Sequence, residues 1–423
     1  MGGFDYQNEV LCVDGVPIPS IVTKTGTPVY IYSANHFRQQ YKRLNDSLGH
    51  ENKQICYSVK ANSNLKVLDL FRSLGAGFDI VSGGELQRVM AIGCDPNLVI
   101  FSGVGKLREE IDLGLKTGIG CFNVESEGEL TRIIEQATLL GKEAPISIRV
   151  NPNIDPKTHP YISTGLKENK FGVSVDKALD LYQKAKKEPH LRIVGIDCHI
   201  GSQILDIGPL KESLANLMEL AKTLKDNGID LTHVDLGGGI GVQYGDEKPF
   251  DLSAYGSVIA EHLAKTDLKL ILEPGRFLVA NGGTLITRVE YLKETGPSQG
   301  KNFAIVDGAM TDLIRPSLYN AWHEVKNVSQ RGVKAPNKQR WDIVGPVCES
   351  GDFLAKDRNL FLKENDLLAI MSAGAYGIGL SSNYNTRPRP AEVMVDDGSF
   401  EIIRRRENTR DQLRLETFSK ENG

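Results

Sequence analysis

Four short stretches of this chain end apolar runs on residues that can do chemistry. The run Gln54-Ile55-Cys56-Tyr57-Ser58-Val59-Lys60-Ala61-Asn62 reads as a buried strand that stops at a lysine. An ammonium withdrawn from water is costly unless it is paired or used. Lys60 therefore snorkels into solvent, meets a carboxylate, or serves as a nucleophilic amine that forms a Schiff base. Glu273-Pro274-Gly275-Arg276 ends a second run with a carboxylate. Glu273 can form a structural pair with the arginine, or accept a hydrogen bond from a ring nitrogen. Gly237-Gly238-Gly239-Ile240-Gly241 is a tight turn, or a nest of backbone N–H groups for a phosphate. Its spacing, G-x-G-x-x-V, is not a dinucleotide fingerprint. His199, in Cys198-His199-Ile200-Gly201-Ser202, is a satisfied core residue or a ring that stacks on another ring. The histidines show no H-E-x-x-H or similar metal-ligand spacing, so no metal is expected.

These residues can act together only if the fold gathers the ends of their strands. From residue 36 the chain alternates helical periodicity with short apolar runs at 54–60, 77–82, 98–103, 121–126, 146–151, 194–200, 233–236 and 268–273. Helical stretches such as 64–74, 84–92 and 209–227 separate them. Eight β-then-α units over roughly 240 residues predict a (β/α)8 barrel in preference to a doubly wound sheet. Barrel chemistry sits at the C-terminal ends of the strands. That rule sets Lys60, Asp79 with Ser82, His199 to Ser202, Gly237 to Gly241 and Glu273 to Arg276 on one rim. A lysine for an imine, a carboxylate for a ring nitrogen, a glycine nest for a phosphate and a histidine to stack describe a site for pyridoxal phosphate.

After residue 284 strand character persists without alternating helices, which predicts a mostly antiparallel β domain over 284–423. The β pieces of 1–35 are expected to join it, so that a barrel of residues 36–283 is inserted into a discontinuous β domain. Asn408 to Lys420 reads as a charged, weakly amphipathic helix or a frayed tail. A length of 423 residues exceeds one ordinary core and agrees with two domains. With 50 basic and 54 acidic residues the net charge is −4, which gives no footprint for nucleic acid or an anionic membrane. No apolar run reaches the length of a membrane span, and Met1-Gly2-Gly3-Phe4-Asp5 lacks the features of a signal peptide. The six cysteines are scattered with no C-x-x-C pair, which suggests reduced thiols in a cytoplasm.

Together these motifs resemble the fold-type III pyridoxal phosphate-dependent decarboxylases, which have an alanine racemase-like two-domain fold. The resemblance covers nearly the whole chain, and it is strongest to the branch that acts on diaminopimelate. It implies Lys60 as the Schiff-base lysine, Glu273 as the partner of the pyridinium nitrogen and His199 stacked on the ring. Ser202, Gly239 and the backbone of Pro274, Gly275 and Arg276 would hold the phosphate, with Tyr376 of Ala373-Gly374-Ala375-Tyr376-Gly377 close by. Asp79 and Arg149 would orient Lys60 and its neighbours.

Two C-terminal motifs then look substrate-specific: Arg315-Pro316-Ser317-Leu318-Tyr319 and Cys348-Glu349-Ser350. An exposed turn arginine and a thiol buried by chance are the plain alternatives. Diaminopimelate has two amino acid ends. Arg276 and Arg315 suit its carboxylate, and Glu349 suits its distal ammonium, whereas a second arginine would repel ornithine. Tyr319 and Tyr376 complete the expected substrate contacts. The resemblance implies decarboxylation of meso-2,6-diaminopimelate to L-lysine and CO2, the last step of lysine synthesis. Cys348 would protonate Cα, alone or with Lys60. Cys348 and Glu349 would reach the site from the partner subunit of a homodimer, and residues 151–172 would form a lid. The rival readings are a decarboxylase of the same fold for ornithine, arginine or carboxynorspermidine, and a non-catalytic binding protein. Keeping both Lys60 and Cys348 argues against the second.

Overall fold

The structure is a computed structural model that describes residues 2–155, 164–165, 169–295, 301–330 and 338–417. It divides into two compact units: Arg38–Gln243 with Lys248–Leu278, and Met1–Phe37 with Tyr244–Glu247 and Val279–Gly423.

The first unit is a closed barrel of eight parallel strands: Lys53–Ser58, Gly77–Ile80, Val99–Phe101, Cys121–Val124, Ala144–Arg149, Leu191–Asp197, His233–Asp235 and Lys269–Leu272. Closure comes from pairing of the eighth strand with the first, Leu272 opposite Ile55. Most strand residues are buried, as expected of a parallel sheet covered on both faces. Side chains start the intervening helices. Asn64, Ser82, Ser126, Ser174, Asp206 and Asp251 each accept a hydrogen bond from a first-turn backbone N–H. The periodic stretches at 64–74, 84–92 and 209–227 appear as Leu65–Ser73, Gly83–Ala91 and Ile207–Asp226.

Most strands stop earlier than the apolar runs suggest. The first ends at Ser58, and Lys60 lies in a single 3-10 turn, Val59–Ala61, not on the strand. Tyr57 Oη donates to the Asn62 carbonyl at 3.0 Å, and Asn62 Oδ1 accepts from the Asn64 N–H at 3.1 Å, so the turn is fixed locally. Likewise His199 and Glu273 follow strands that end at Asp197 and Leu272. Ladder pairing ends where the chain must turn toward its helix, which leaves the reactive residues on the loops above the barrel.

In the second unit nine strands form one sheet, with Val29–Ser33 in its interior. Six pairings are antiparallel: Phe353–Leu360 on Gln339–Val344, Asn302–Val306 on Gly283–Lys293, Gly283–Lys293 on both Val29–Ser33 and Leu367–Ile370, Val325–Asn327 on Leu367–Ile370, and Ser399–Arg404 on Ala391–Asp396. Two are parallel: Val29–Ser33 with Ala391–Asp396, and Asn302–Val306 with Gln339–Val344. Phe4–Gln7, Val10–Val13 and Val16–Pro17 make a separate three-stranded sheet. A core including Leu11, Ile21, Ile31, Ile286, Ala369 and Val393 packs N-terminal and C-terminal segments together. Of the stretch read as a helix or a frayed tail, Thr409–Leu413 is helical among the described residues, and residues 418–423 lie outside them. None of its five residues is buried, so no packing extends it. Among the described residues no helix is long and apolar enough to cross a membrane.

The helix Leu252–Leu263 crosses the end of Ala34–Ser47 at Gly256, where a Cβ would overlap the Ser47 carbonyl oxygen. Alanine is favoured over glycine in a helix by about 1 kcal/mol, but overpacking costs typically about 1–3 kcal/mol. Gly256→Ala is expected to lower the melting temperature by a few degrees; a thermal melt shifted upward would contradict this packing.

Candidate active site

Lys60 Nζ donates to Asp79 Oδ2 at 2.7 Å. Asp79 is fully buried, and Lys60 is 39% exposed. Ser58, the last residue of the first strand, donates its hydroxyl to the same Asp79 oxygen at 2.5 Å and lies 3.2 Å from the Glu273 carbonyl. Asp79 Oδ1 has no hydrogen-bond partner among the described residues. Lys60 thus meets a carboxylate while its side chain stays partly exposed.

Glu273 follows the eighth strand, and its backbone N–H donates to the Gly237 carbonyl at 2.7 Å. Its Oε1 accepts from Ser102 Oγ at 3.3 Å. Ser102 in turn accepts from Asn123 Nδ2 at 3.2 Å, and Ser147 Oγ donates to Asn123 Oδ1 at 2.7 Å. Asp197 and Asp235, which end the sixth and seventh strands, bring carboxylate oxygens within 4.8 Å of each other and of Glu273. Burial first, and then mutual repulsion, pushes the carboxyls of Glu273 and Asp197 well above the usual range. Burial pushes Asp235 up to about 7. Three buried carboxylates this close cannot all ionise, so the cluster holds protons. Arg149 stands beside it, 2.8 Å from Glu125 Oε1 and 3.9 Å from Asp197 Oδ2. A fixed guanidinium there favours proton sharing over a bound cation.

His199 is half-buried, and its Nδ1 accepts from the Gly238 N–H at 3.0 Å. That bond assigns the proton of the neutral ring to Nε2. Burial, with the charges of Arg149 and Lys60, drives the imidazole pKa well below its ordinary value, so the ring is neutral. The His199 carbonyl accepts from Thr164 Oγ1 at 2.7 Å and from Arg149 Nη2 at 3.3 Å. Gly237 and Gly239 have φ of +64° and +102°, and a Cβ on Gly238 would overlap the Glu273 carbonyl oxygen. The glycines are therefore required for the turn itself, and they also bare its backbone. Ser202 Oγ accepts from Arg276 Nη2 at 3.0 Å. The Pro274 carbonyl accepts from the Ser58 N–H at 3.2 Å, while a Cβ on Gly275 would lie 2.9 Å from Ala61 Cβ. The rim residues Lys60, Asp79, Arg149, His199, Ser202, Gly239 and Glu273 to Arg276 are thus joined by short steps within one barrel.

In the other unit Arg315 is buried, not an exposed turn residue. Its guanidinium lies 4.5 Å from the centre of the Tyr244 ring, and Nη1 is 3.0 Å from His323 Nε2. His323 Nδ1 is 2.8 Å from the Met371 carbonyl, so it donates there and accepts from Arg315. Tyr319 closes the short helix Arg315–Tyr319 and is half-buried. Cys348 is exposed, whereas the other five cysteines are buried. Glu349 is exposed and accepts from Tyr384 Oη at 2.8 Å. Tyr376 is half-buried with φ of +55°, an uncommon conformation for an aromatic residue and one that clusters at functional sites. Of the expected lid, 156–163 and 166–168 lie outside the described residues; Gly172 N–H donates to Glu125 Oε2 at 2.9 Å.

Several residues of this site were not singled out from the sequence. Asp197 and Asp235 end barrel strands, but in the sequence they sit inside the apolar runs 194–200 and 233–236 and not after them. Glu125 follows the fourth strand. Tyr244 and His323 lie 71 and 8 residues from Arg315 in sequence, and no local pattern announces them.

The geometry is matched by known proteins. The model of the pyridoxal-dependent decarboxylase, pyridoxal binding domain, matches residues 34–280. A diaminopimelate decarboxylase of Pseudomonas aeruginosa is 52% identical, over 97% of this chain and 98% of that protein. This chain belongs to the diaminopimelate decarboxylase family. The Vibrio cholerae member is 50% identical over 99% of both chains. The crystal structure of the Helicobacter pylori member, complexed with L-lysine, superposes with a TM-score of 0.89 at 44% identity, covering 94% of this chain and 98% of that one. The eight-stranded barrel and the mostly antiparallel sheet are thus the fold of this family.

The acidic cluster has a measurable consequence. Asp235 ionises at 3.8 in the unfolded chain and near 7 in the folded one. Between those values the folded state binds the extra proton, so its stability falls as pH rises through that window. Asp235→Asn, which cannot ionise, should make this decline shallower in urea unfolding of ligand-free protein between about pH 4 and about pH 7. An equally steep decline would show that Asp235 does not hold the proton.

Proposed function

We propose that this chain decarboxylates meso-2,6-diaminopimelate to L-lysine and CO2 with pyridoxal phosphate as cofactor, closing the diaminopimelate route to lysine. The observation that carries the reading is the Lys60–Asp79 pair on a barrel rim that also offers Glu273, a neutral His199 and a glycine nest. The full-length likeness to diaminopimelate decarboxylases supports it. The residues fit the cofactor. A buried carboxyl whose ionised form is penalised by its neighbours is relieved by a cationic ring nitrogen, and glycines that cannot carry a Cβ bare the backbone to a phosphate.

When bound, pyridoxal phosphate supplies the electron sink that makes loss of CO2 from an amino acid accessible. The chain's own residues do the rest. Lys60, held in place by Asp79, would offer its amine to the cofactor. Glu273 would keep the ring nitrogen protonated, and His199 would stack on the ring. Ser202, Gly239, the backbone of Pro274, Gly275 and Arg276, and Tyr376 hold the phosphate. Arg276, Arg315, Tyr319 and Tyr376 grip the substrate, Glu349 meets its distal ammonium, and Cys348 delivers a proton to Cα, alone or with Lys60. Residues 151–172 act as a lid. Cys348 and Glu349 work on the barrel of a second copy in a homodimer. In favour of that, the single chain leaves both exposed, together with Tyr384, which hydrogen-bonds Glu349. A cytoplasmic setting agrees with six free cysteines.

A panel of diaminopimelate, ornithine and arginine, with CO2 and amine products measured, tests the assignment. CO2 and L-lysine should form from diaminopimelate alone; turnover of ornithine or arginine in its place would overturn it. Arg315→Ala removes charge-assisted hydrogen bonds of about 1.5–3 kcal/mol, so KM for diaminopimelate should rise roughly ten- to hundredfold. An unchanged KM would remove Arg315 from substrate binding.

A further inference from the structure

Glu349 is an exposed side chain with three free torsions, a poor starting point for selective recognition of an ammonium. Two neighbouring residues reduce that freedom. Tyr384 Oη donates to Glu349 Oε1 at 2.8 Å, and the next residue, Asn385, accepts the Cys348 N–H on Oδ1 at 3.4 Å. One turn therefore holds the side chain of Glu349 and the backbone of Cys348. The hydrogen bond to Glu349 raises the Tyr384 pKa, so the phenol keeps its proton and remains the donor. That bond engages Oε1, one of the two carboxylate oxygens of Glu349.

The turn is strained, and its surroundings enforce the strain. Asn385 has φ of +54° and Thr386 has φ of +57°, the latter unusual for a β-branched residue. Strain of this kind persists only where neighbours overdetermine it, and it collects at functional sites. Here Asn383 Nδ2 donates to the Arg387 carbonyl at 3.0 Å and to Glu407 Oε2 at 2.5 Å. Glu407 also accepts from the Arg389 N–H at 2.9 Å, and the Arg387 guanidinium donates to the Asp307 carbonyl. The opposing segment is equally fixed. Asp352 accepts from the Val347 N–H at 2.8 Å and from the Met310 N–H at 2.6 Å, and its own N–H donates to the Glu349 carbonyl at 3.1 Å. Two braced segments thus meet through Tyr384 and Asn385.

We infer that the Tyr384–Asn385 turn positions the Cys348–Glu349 pair, with Tyr384 aiming the Glu349 carboxylate at the distal ammonium of the substrate. Tyr384 is a positioning residue, and the inference rests on the reading that Glu349 binds that ammonium.

The test uses the full-length, cofactor-loaded protein in four forms: parent, Tyr384→Phe, Glu349→Gln and the double variant. Tyr384→Phe should raise KM for diaminopimelate about three- to tenfold, the range of one partly solvated hydrogen bond, with kcat close to the parent's. L-Lysine, which carries the same distal ammonium, should bind more weakly by the same factor in calorimetry. Glu349→Gln should raise KM further, and adding Tyr384→Phe to it should change nothing more, because Tyr384 acts through Glu349. If Tyr384→Phe leaves KM and lysine affinity at parent values while Glu349→Gln raises KM, the positioning role is wrong and the ammonium reading stands. If neither variant moves KM, the ammonium reading fails and the inference falls with it. Asn385→Gly keeps the left-handed backbone but removes Oδ1; it should lower kcat, and Asn385→Asp should restore it. Parent kcat in Asn385→Gly would overturn the Asn385 half of the inference.

Discussion

The contact on which the rest depends is the 2.7 Å pair between Lys60 Nζ and Asp79 Oδ2. Exposed ion pairs contribute about 0–1 kcal/mol, and removing one partner of a buried pair costs about 3–5 kcal/mol. With Asp79 buried and Lys60 partly exposed, this pair lies between those limits. Its larger consequence is orientation. Asp79 is held in place, because it lies in a barrel strand and also receives the Ser58 hydroxyl. Wherever the barrel puts that carboxylate, the lysine amine must follow.

Charge balance around the pair explains the chemistry of the rim. Asp79, Asp197, Asp235 and Glu273 converge from four strands, whereas Arg149 is the buried cation beside them and is itself engaged by Glu125. The mouth of the barrel is left holding protons and with a demand for positive charge at Glu273. A pyridine nitrogen kept protonated answers that demand, and the same protonation makes the ring accept electrons. The neutral His199 adds no competing cation, since the Gly238 N–H occupies its Nδ1. The glycine turn that allows this bond also opens backbone for a phosphate, so the two roles of that sequence are one constraint.

Much of this was legible in the chain because barrels state their chemistry at strand ends. Lys60, His199, Ser202, Gly239 and Glu273 each follow an apolar run, and the fold brings them together by the rule that selected them. Strand limits were less legible: an apolar run continues into the loop above the strand, so Lys60 was placed on a strand that stops at Ser58. Asp197 and Asp235 were hidden because single acids inside apolar runs look like interruptions. The bed of Arg315 could not be read at all, since Tyr244 and His323 reach it through tertiary structure. In the β domain the antiparallel pattern was legible, but the two parallel pairings were not. Local turn chemistry says nothing about strands that are distant in sequence, such as Val29–Ser33 and Ala391–Asp396.

The central claim is that Lys60, fixed by Asp79, is where the cofactor joins the chain. Borohydride reduction of the pyridoxal phosphate-loaded protein, followed by peptide mass mapping, tests it most directly. The reduced cofactor is expected on the peptide carrying Lys60. Attachment to another lysine, or no covalent attachment, would contradict it.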